Sequence, residues 1–209
     1  MNQLIAYLSR GGITMIPLLL SSILALAVVI ERAVSLRRNK ILVPEIISVV
    51  ESLDRAEDVQ LAMAICERHS GAFANVILTG LQNQDLPPAE MREVLTDQGR
   101  QEVRSLEHGL PILETISGVA PLLGLLGTVL GMIKVFTVIS RVGTGQASQL
   151  AGGISEALIT TVTGLVIGIP ALIMYNYFSH RAENYIMDIE KYTIKLMYKI
   201  RMLQHKVAA

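Results

Sequence analysis

One carboxylate stands out among the groups that could do chemistry. Glu156 is the only charged side chain between Val142 and Ser179, inside a run that is otherwise apolar or small. A carboxylate can take up and release a proton. An ionisable group within or at the edge of a membrane segment is costly enough to mark a functional site. Thr160 and Thr163 follow it at steps of four and three, on nearly the same helix face. Thr128 and Thr161 are further hydroxyls. Thr128 lies six residues from Lys134, and Thr161 lies five from Glu156. In an antiparallel helix pair both hydroxyls then fall about 7.5–9 Å in from those charges, at 1.5 Å per residue. With Glu156 they give a polar layer that suits a path for protons or water and not for a large hydrophilic substrate. Simpler readings attach to the same groups. Glu156 can cap the outer start of its helix, where its charge suits the N-terminus. Each threonine can bond back to its own helix.

Small residues border this layer. Ser117, Ala120, Gly124, Gly127 and Gly131 recur at steps of 3, 4, 3 and 4, and Gly164, Gly168 and Ala171 continue the pattern further on. Apolar surface gives membrane helices little reason to associate, so they pair through small residues that let backbones approach. Gly124, Gly127, Gly131, Gly164 and Gly168 are therefore the expected packing positions, within or between chains. Pro121 interrupts the first of these stripes and frees a carbonyl, a feature membrane helices tolerate. It joins Thr160 and Thr163 as a candidate to line the pathway.

The elements that carry these residues are long apolar runs. Residues 11–30, 115–133 and 157–179 carry no charge, and a bilayer core needs roughly 20 helical residues. Each run can span once. Of 209 residues, 51% are apolar and 17% charged, with 18 basic against 18 acidic, and mean hydropathy is +0.48. Arg10 is the only charge before the first run, which gives no basic n-region of a signal peptide. That first run has no small-residue stripe and reads as a peripheral, lipid-facing helix. Lys and Arg are few before the first run and between the second and third, and abundant in the 80-residue connection and the tail. The positive-inside rule places the N-terminus outside and the C-terminus inside.

The expected organisation is an outer N-terminal segment 1–12, a first span 13–31, a cytoplasmic helical region 32–110, a second span 111–138, an outer loop 139–152, a third span 153–179 and a cytoplasmic amphipathic helix 180–209. In the cytoplasmic region, Pro44-Glu45, Asp58 and Pro88-Ala-Glu90 read as helix starts. Gly71 and Gly80 read as breaks, with a further disturbance at 109–111. In the tail, Tyr185, Ile189, Tyr192, Leu196, Ile200 and Leu203 form one apolar stripe. That stripe can pack on its own chain or on copies of itself, and the second is the expectation. The tail's lysines and arginines can touch anionic lipid.

Composition excludes several classes. The chain is too apolar and too balanced in charge for a disordered or nucleic-acid-binding protein. One cysteine, Cys66, excludes an intrachain disulfide framework, and four scattered histidines give no metal cluster. His108 and His180 sit near span ends and read as interfacial packing. No phosphate loop, catalytic triad or cofactor fingerprint is present. No enzyme activity and no cofactor are expected, only a transported proton.

At the second and third spans the sequence resembles the ExbB/TolQ/MotA proton-channel family. The segment APLLGLLGTVLGMI (120–133) is similar to the family's APLLGLLGTVxGM signature. GISEALITTVTGL (153–165) is similar to GIxEALxxTxxGL, and IPALIMYN (169–176) to IPAxxxYN. The resemblance implies an all-α membrane protein that forms a pentameric ring in the inner membrane. The ring surrounds two single-span ExbD/TolR-like partners, with a TonB/TolA-like protein beyond them. It implies a motor driven by the proton-motive force. The partner's aspartate carries the proton, Thr128 and Thr161 face it, and Glu156 is the glutamate of the third span. Three spans favour ExbB/TolQ over four-span MotA. Leu130 stands where many members have Trp, and this chain brings no intramembrane aspartate of its own. The alternative, from another class, is a non-conducting scaffold that assembles and stabilises a single-span partner.

Overall fold

A computed structural model describes residues 12–142 and 147–208. The expected outer segment 1–12 and outer loop 139–152 fall partly outside these residues. The described residues form helices and connections, with no strand among them. In order they are α1 (Met15–Ser35), α2 (Arg38–Ile41), α3 (Pro44–Ser52), α4 (Ala56–Arg68), α5 (Ala72–Gln82), α6 (Pro88–Leu106), α7 (Leu110–Val142) and α8 (Ala147–Ala208). Helices α1, α7 and α8 each contain a stretch long and apolar enough to cross a membrane. The chain divides into two compact units, one of residues 1–31 and 109–177, the other of 32–108 and 178–209.

The first unit holds α1 up to residue 31, α7, and α8 up to Tyr177. Helix α1 buries a narrow stripe, Met15, Leu18 and Ala25, and exposes Ile16, Leu20, Ile23, Leu24, Leu26 and Ile30. The glycines of α7 lie against those of α8. A Cβ on Gly124 would stand 3.3 Å from Cα of Gly164, and one on Gly131 would stand 3.0 Å from the Gly153 carbonyl. The helices are wider than the expected spans. α7 runs on to Val142 and α8 begins at Ala147, so much of the segment expected as loop is helical. α8 is a single helix of 62 residues, with no separate tail helix. After Pro170 it meets neither Gly nor Pro, so nothing in the sequence stops it.

The second unit is built as its punctuation indicates. α3 starts at Pro44 and α6 at Pro88. The Asp58 carboxylate accepts from the Arg55 N–H at 2.9 Å at the start of α4. Gly71 (φ +152°) precedes α5, and Gly109 (φ +77°) separates α6 from α7. Gly80 departs from expectation. It lies inside α5, where a Cβ would come within 2.7 Å of Leu196. That glycine serves close helix packing, not a break.

The tail stripe also departs. Tyr185, Ile189, Leu196 and Ile200 are buried within this chain's own second unit. Tyr192 meets Phe73 with ring centroids 5.5 Å apart. The Tyr185 hydroxyl donates to the Leu36 carbonyl at 3.1 Å. Lys195 and Lys199 pair with Glu51 and Asp54 at 2.8 and 2.6 Å. The stripe is covered by α3, α5 and the end of α1, because these helices carry the matching apolar faces and acidic rim. Buried Arg32 donates to the Leu106 carbonyl at 3.1 Å, so a cation sits at the C-terminal end of α6, where the helix dipole favours it.

Candidate proton site

The first unit gathers its polar groups where α7 and α8 approach most closely. Both helices carry glycine at the contact, so backbone atoms meet there. The Gly124 carbonyl accepts the Thr128 hydroxyl at 3.2 Å and the Thr161 hydroxyl at 3.1 Å. The two hydroxyls are also in direct contact, so their two protons are shared over three oxygen–oxygen contacts. Thr128 and Thr161 are half-buried. They therefore form one small cluster, with an exposed side and a backbone carbonyl behind.

The other threonines are placed differently. Thr160 is fully buried. Its hydroxyl donates to the Ala157 carbonyl at 2.8 Å, and its side chain fills the space a Cβ on Gly127 would take. It packs helices and offers no surface to a path. Thr163 donates to its own helix at Ile159, 2.8 Å away. Pro121 lies against Gly168: a Cβ there would stand 2.8 Å from the Pro121 ring and 3.2 Å from the Ser117 carbonyl. Since proline lacks an N–H, Ser117 is the carbonyl it frees. That oxygen faces the α8 backbone.

Glu156 does not join the threonine cluster. It lies five residues before Thr161, about 7.5 Å along the helix and roughly 140° around it. Its Oε1 accepts from Lys134 Nζ at 2.5 Å. Gly12, with φ +67°, stands against the same carboxylate. The expected single polar layer is thus two adjoining groups, a hydroxyl pair and an ion pair. Sequence reasoning used Lys134 only as a depth marker and passed over Gly12 and Thr14. Thr14 is buried and its hydroxyl is 2.8 Å from where a Cβ on Gly127 would sit, so the start of α1 closes this interface. Lys134 could have been found, since Lys134 and Glu156 are the charges nearest the facing ends of the second and third apolar runs.

His108 and His180 are exposed, and His180 lies 3.8 Å from Glu183. Among the described residues no cluster of His, Cys, Asp or Glu could hold a metal ion.

Fold and site define a multi-pass helical membrane protein whose spans join through glycine contacts and carry a hydroxyl pair at that contact. Residues 68–191 match the MotA/TolQ/ExbB proton channel family, and the chain belongs to that family. Its role is of the ExbB/TolQ type, a transport family and not an enzyme family. It is 34% identical over 198 residues to biopolymer transport protein ExbB-like 3 of Synechocystis sp., covering 90% of this chain and 92% of that protein. It is 40% identical over 172 residues to ExbB-like 1 of the same organism, covering 79% and 66%. Over 104 residues it is 36% identical to the Tol-Pal system protein TolQ of Haemophilus influenzae, covering 48% and 46%. The matched stretch thus spans nearly all of the first relative, just under two thirds of the second and under half of the third.

Proposed function

We propose that this chain is the proton-channel subunit of an inner-membrane motor driven by the proton-motive force. In this reading its N-terminus lies outside and its C-terminus in the cytoplasm. Five copies form a ring around two single-span ExbD/TolR-like partners. The motor energises an outer-membrane process such as TonB-dependent import or Tol-Pal function, through a TonB/TolA-like protein.

The observation that carries the proposal is the Thr128–Thr161 hydroxyl pair on the Gly124 carbonyl. Hydroxyls donate and accept hydrogen bonds, so they can orient a proton-carrying group without titrating. No carboxylate of α7 or α8 reaches the pair among the described residues. In this reading the titrating group comes from a partner span, where an aspartate, as the family resemblance implies, meets the need. Glu156 supplies the chain's own carboxylate at the outer end of that path. The excess of Lys and Arg in the second unit supports the orientation.

Purification in mild detergent with the native membrane partners, followed by mass measurement of the intact complex, tests the assembly. Five copies holding two small single-span subunits support the proposal. A monomer, or a partner without an aspartate in its span, overturns it and leaves a non-conducting scaffold.

A further inference from the structure

Lys134 has no part in the pathway as drawn above, yet it is the group that holds Glu156. Its Nζ lies 2.5 Å from Oε1, and the Glu156 side chain keeps 22% exposure against 58% for Lys134. On the other side stands Gly12. Its φ of +67° suits glycine, and a Cβ there would run into the carboxylate. The carboxylate is therefore held between an ammonium on α7 and a stretch of bare backbone just before α1. Around it, the approach to α1 presents Gly12, α7 presents Lys134, and α8 presents Glu156 itself. Lys134 is the ion-pair partner of this carboxylate, and the contact is made at one of its two oxygens, Oε1.

We propose that Lys134 is a positioning residue for the proton path: it anchors Glu156 by one oxygen while the path is empty and lets go when Glu156 takes a proton. The inference rests on the pathway reading above. Protonation forms one O–H bond on Glu156 and cancels its charge. Lys134 keeps its three protons and its charge throughout and loses only the ion pair, so no proton passes through it. Its side chain is already more than half exposed and can swing outward. When the proton leaves Glu156, the pair re-forms and resets the carboxylate.

The test uses the full chain reconstituted with its native partners, comparing Lys134→Met, Lys134→Gln, Lys134→Arg and Glu156→Gln. Proton flux and the infrared carboxylate band lost in Glu156→Gln are the two readouts. Lys134→Met and Lys134→Gln are expected to lower flux about tenfold, the factor one charge-assisted hydrogen bond supplies. They should also shift the band, while Lys134→Arg restores both and complex mass is unchanged. Wild-type flux and an unmoved band in Lys134→Met, with Glu156→Gln inactive, overturn the role of Lys134 alone. Failure of both neutral variants to assemble, with Lys134→Arg assembling, makes the pair a structural pin and also overturns it. Wild-type flux in Glu156→Gln removes the pathway reading itself.

Discussion

Thr128 and Thr161 come from different helices, thirty-three residues apart in the chain, and contact both each other and the same Gly124 carbonyl. The contact exists because Gly124 and Gly164 bring the two backbones together. Thr161→Val and Thr128→Val keep the β-branched shape and remove the hydroxyl. Each should lower stability by only about 1 kcal/mol, the net worth of a typical hydrogen bond. Each should nonetheless abolish proton-coupled work in cells. Complementation of a strain lacking this chain, beside a thermal melt of the purified variant, separates the two effects.

Gly164→Val should fail in a different way. A Cβ at 164 would stand 2.5 Å from the Ala120 carbonyl and 3.1 Å from Cα of Gly124. Backbone cannot step aside as a flexible side chain can. Overpacking of this kind costs about 1–3 kcal/mol or more. The expected outcome is loss of folded chain from the membrane fraction, seen on a quantitative blot, and not a folded chain with reduced flux.

Arg32→Met should loosen the second unit. Arg32 is buried and donates to the carbonyls of Ser105 and Leu106 at the end of α6. Methionine fills much of the volume and leaves those carbonyls without that donor. Hydrogen bonds to charged groups contribute about 1.5–3 kcal/mol each. The melting temperature should fall, and limited proteolysis should cut between α6 and α7, around Gly109, sooner than in the wild type.

Cys66 should be inert. It is buried, and burial pushes its thiol up to about 11 from the ordinary 9.0, with Glu67 adding to the shift. The thiolate, not the thiol, reacts. At pH 8 a maleimide should label the denatured chain quickly and the folded chain hardly at all. A raised value also links folding to pH. The stability it contributes is complete below 9.0 and is lost as pH climbs through about 11. Cys66→Ala should remove that part of the alkaline loss, measured by denaturant titration at pH 8 and pH 11.

Much of this was legible in the sequence, and the rest fails for physical reasons. The three spans, the starts at Pro44 and Pro88 and the break before Pro111 follow from rules that act within a few residues. The facing glycine stripes follow from steps of three and four. Gly80 misled because a glycine in a helix reads as a weakness until its neighbour is known, and Leu196 lies more than a hundred residues away. The tail stripe misled because periodicity shows that a face is covered, not by what. Thr160 and Thr161 are adjacent in sequence and chemically alike. Only the rotation of α8 against α7 decides that one is fully buried and the other meets Thr128. Lys134 was missed because its partner Glu156 lies twenty-two residues away on another helix, and a local pattern does not reach that far.

Proton flux through the reconstituted complex tests the central claim most directly. Wild-type chain, Thr161→Val and Glu156→Gln are each assembled with their native partners in vesicles of known orientation, and acidification is followed under an imposed potential. The account predicts flux in the wild type and none above background in either variant, with the same complex mass in all three. Equal flux in all three, or none in a fully assembled wild type, contradicts it.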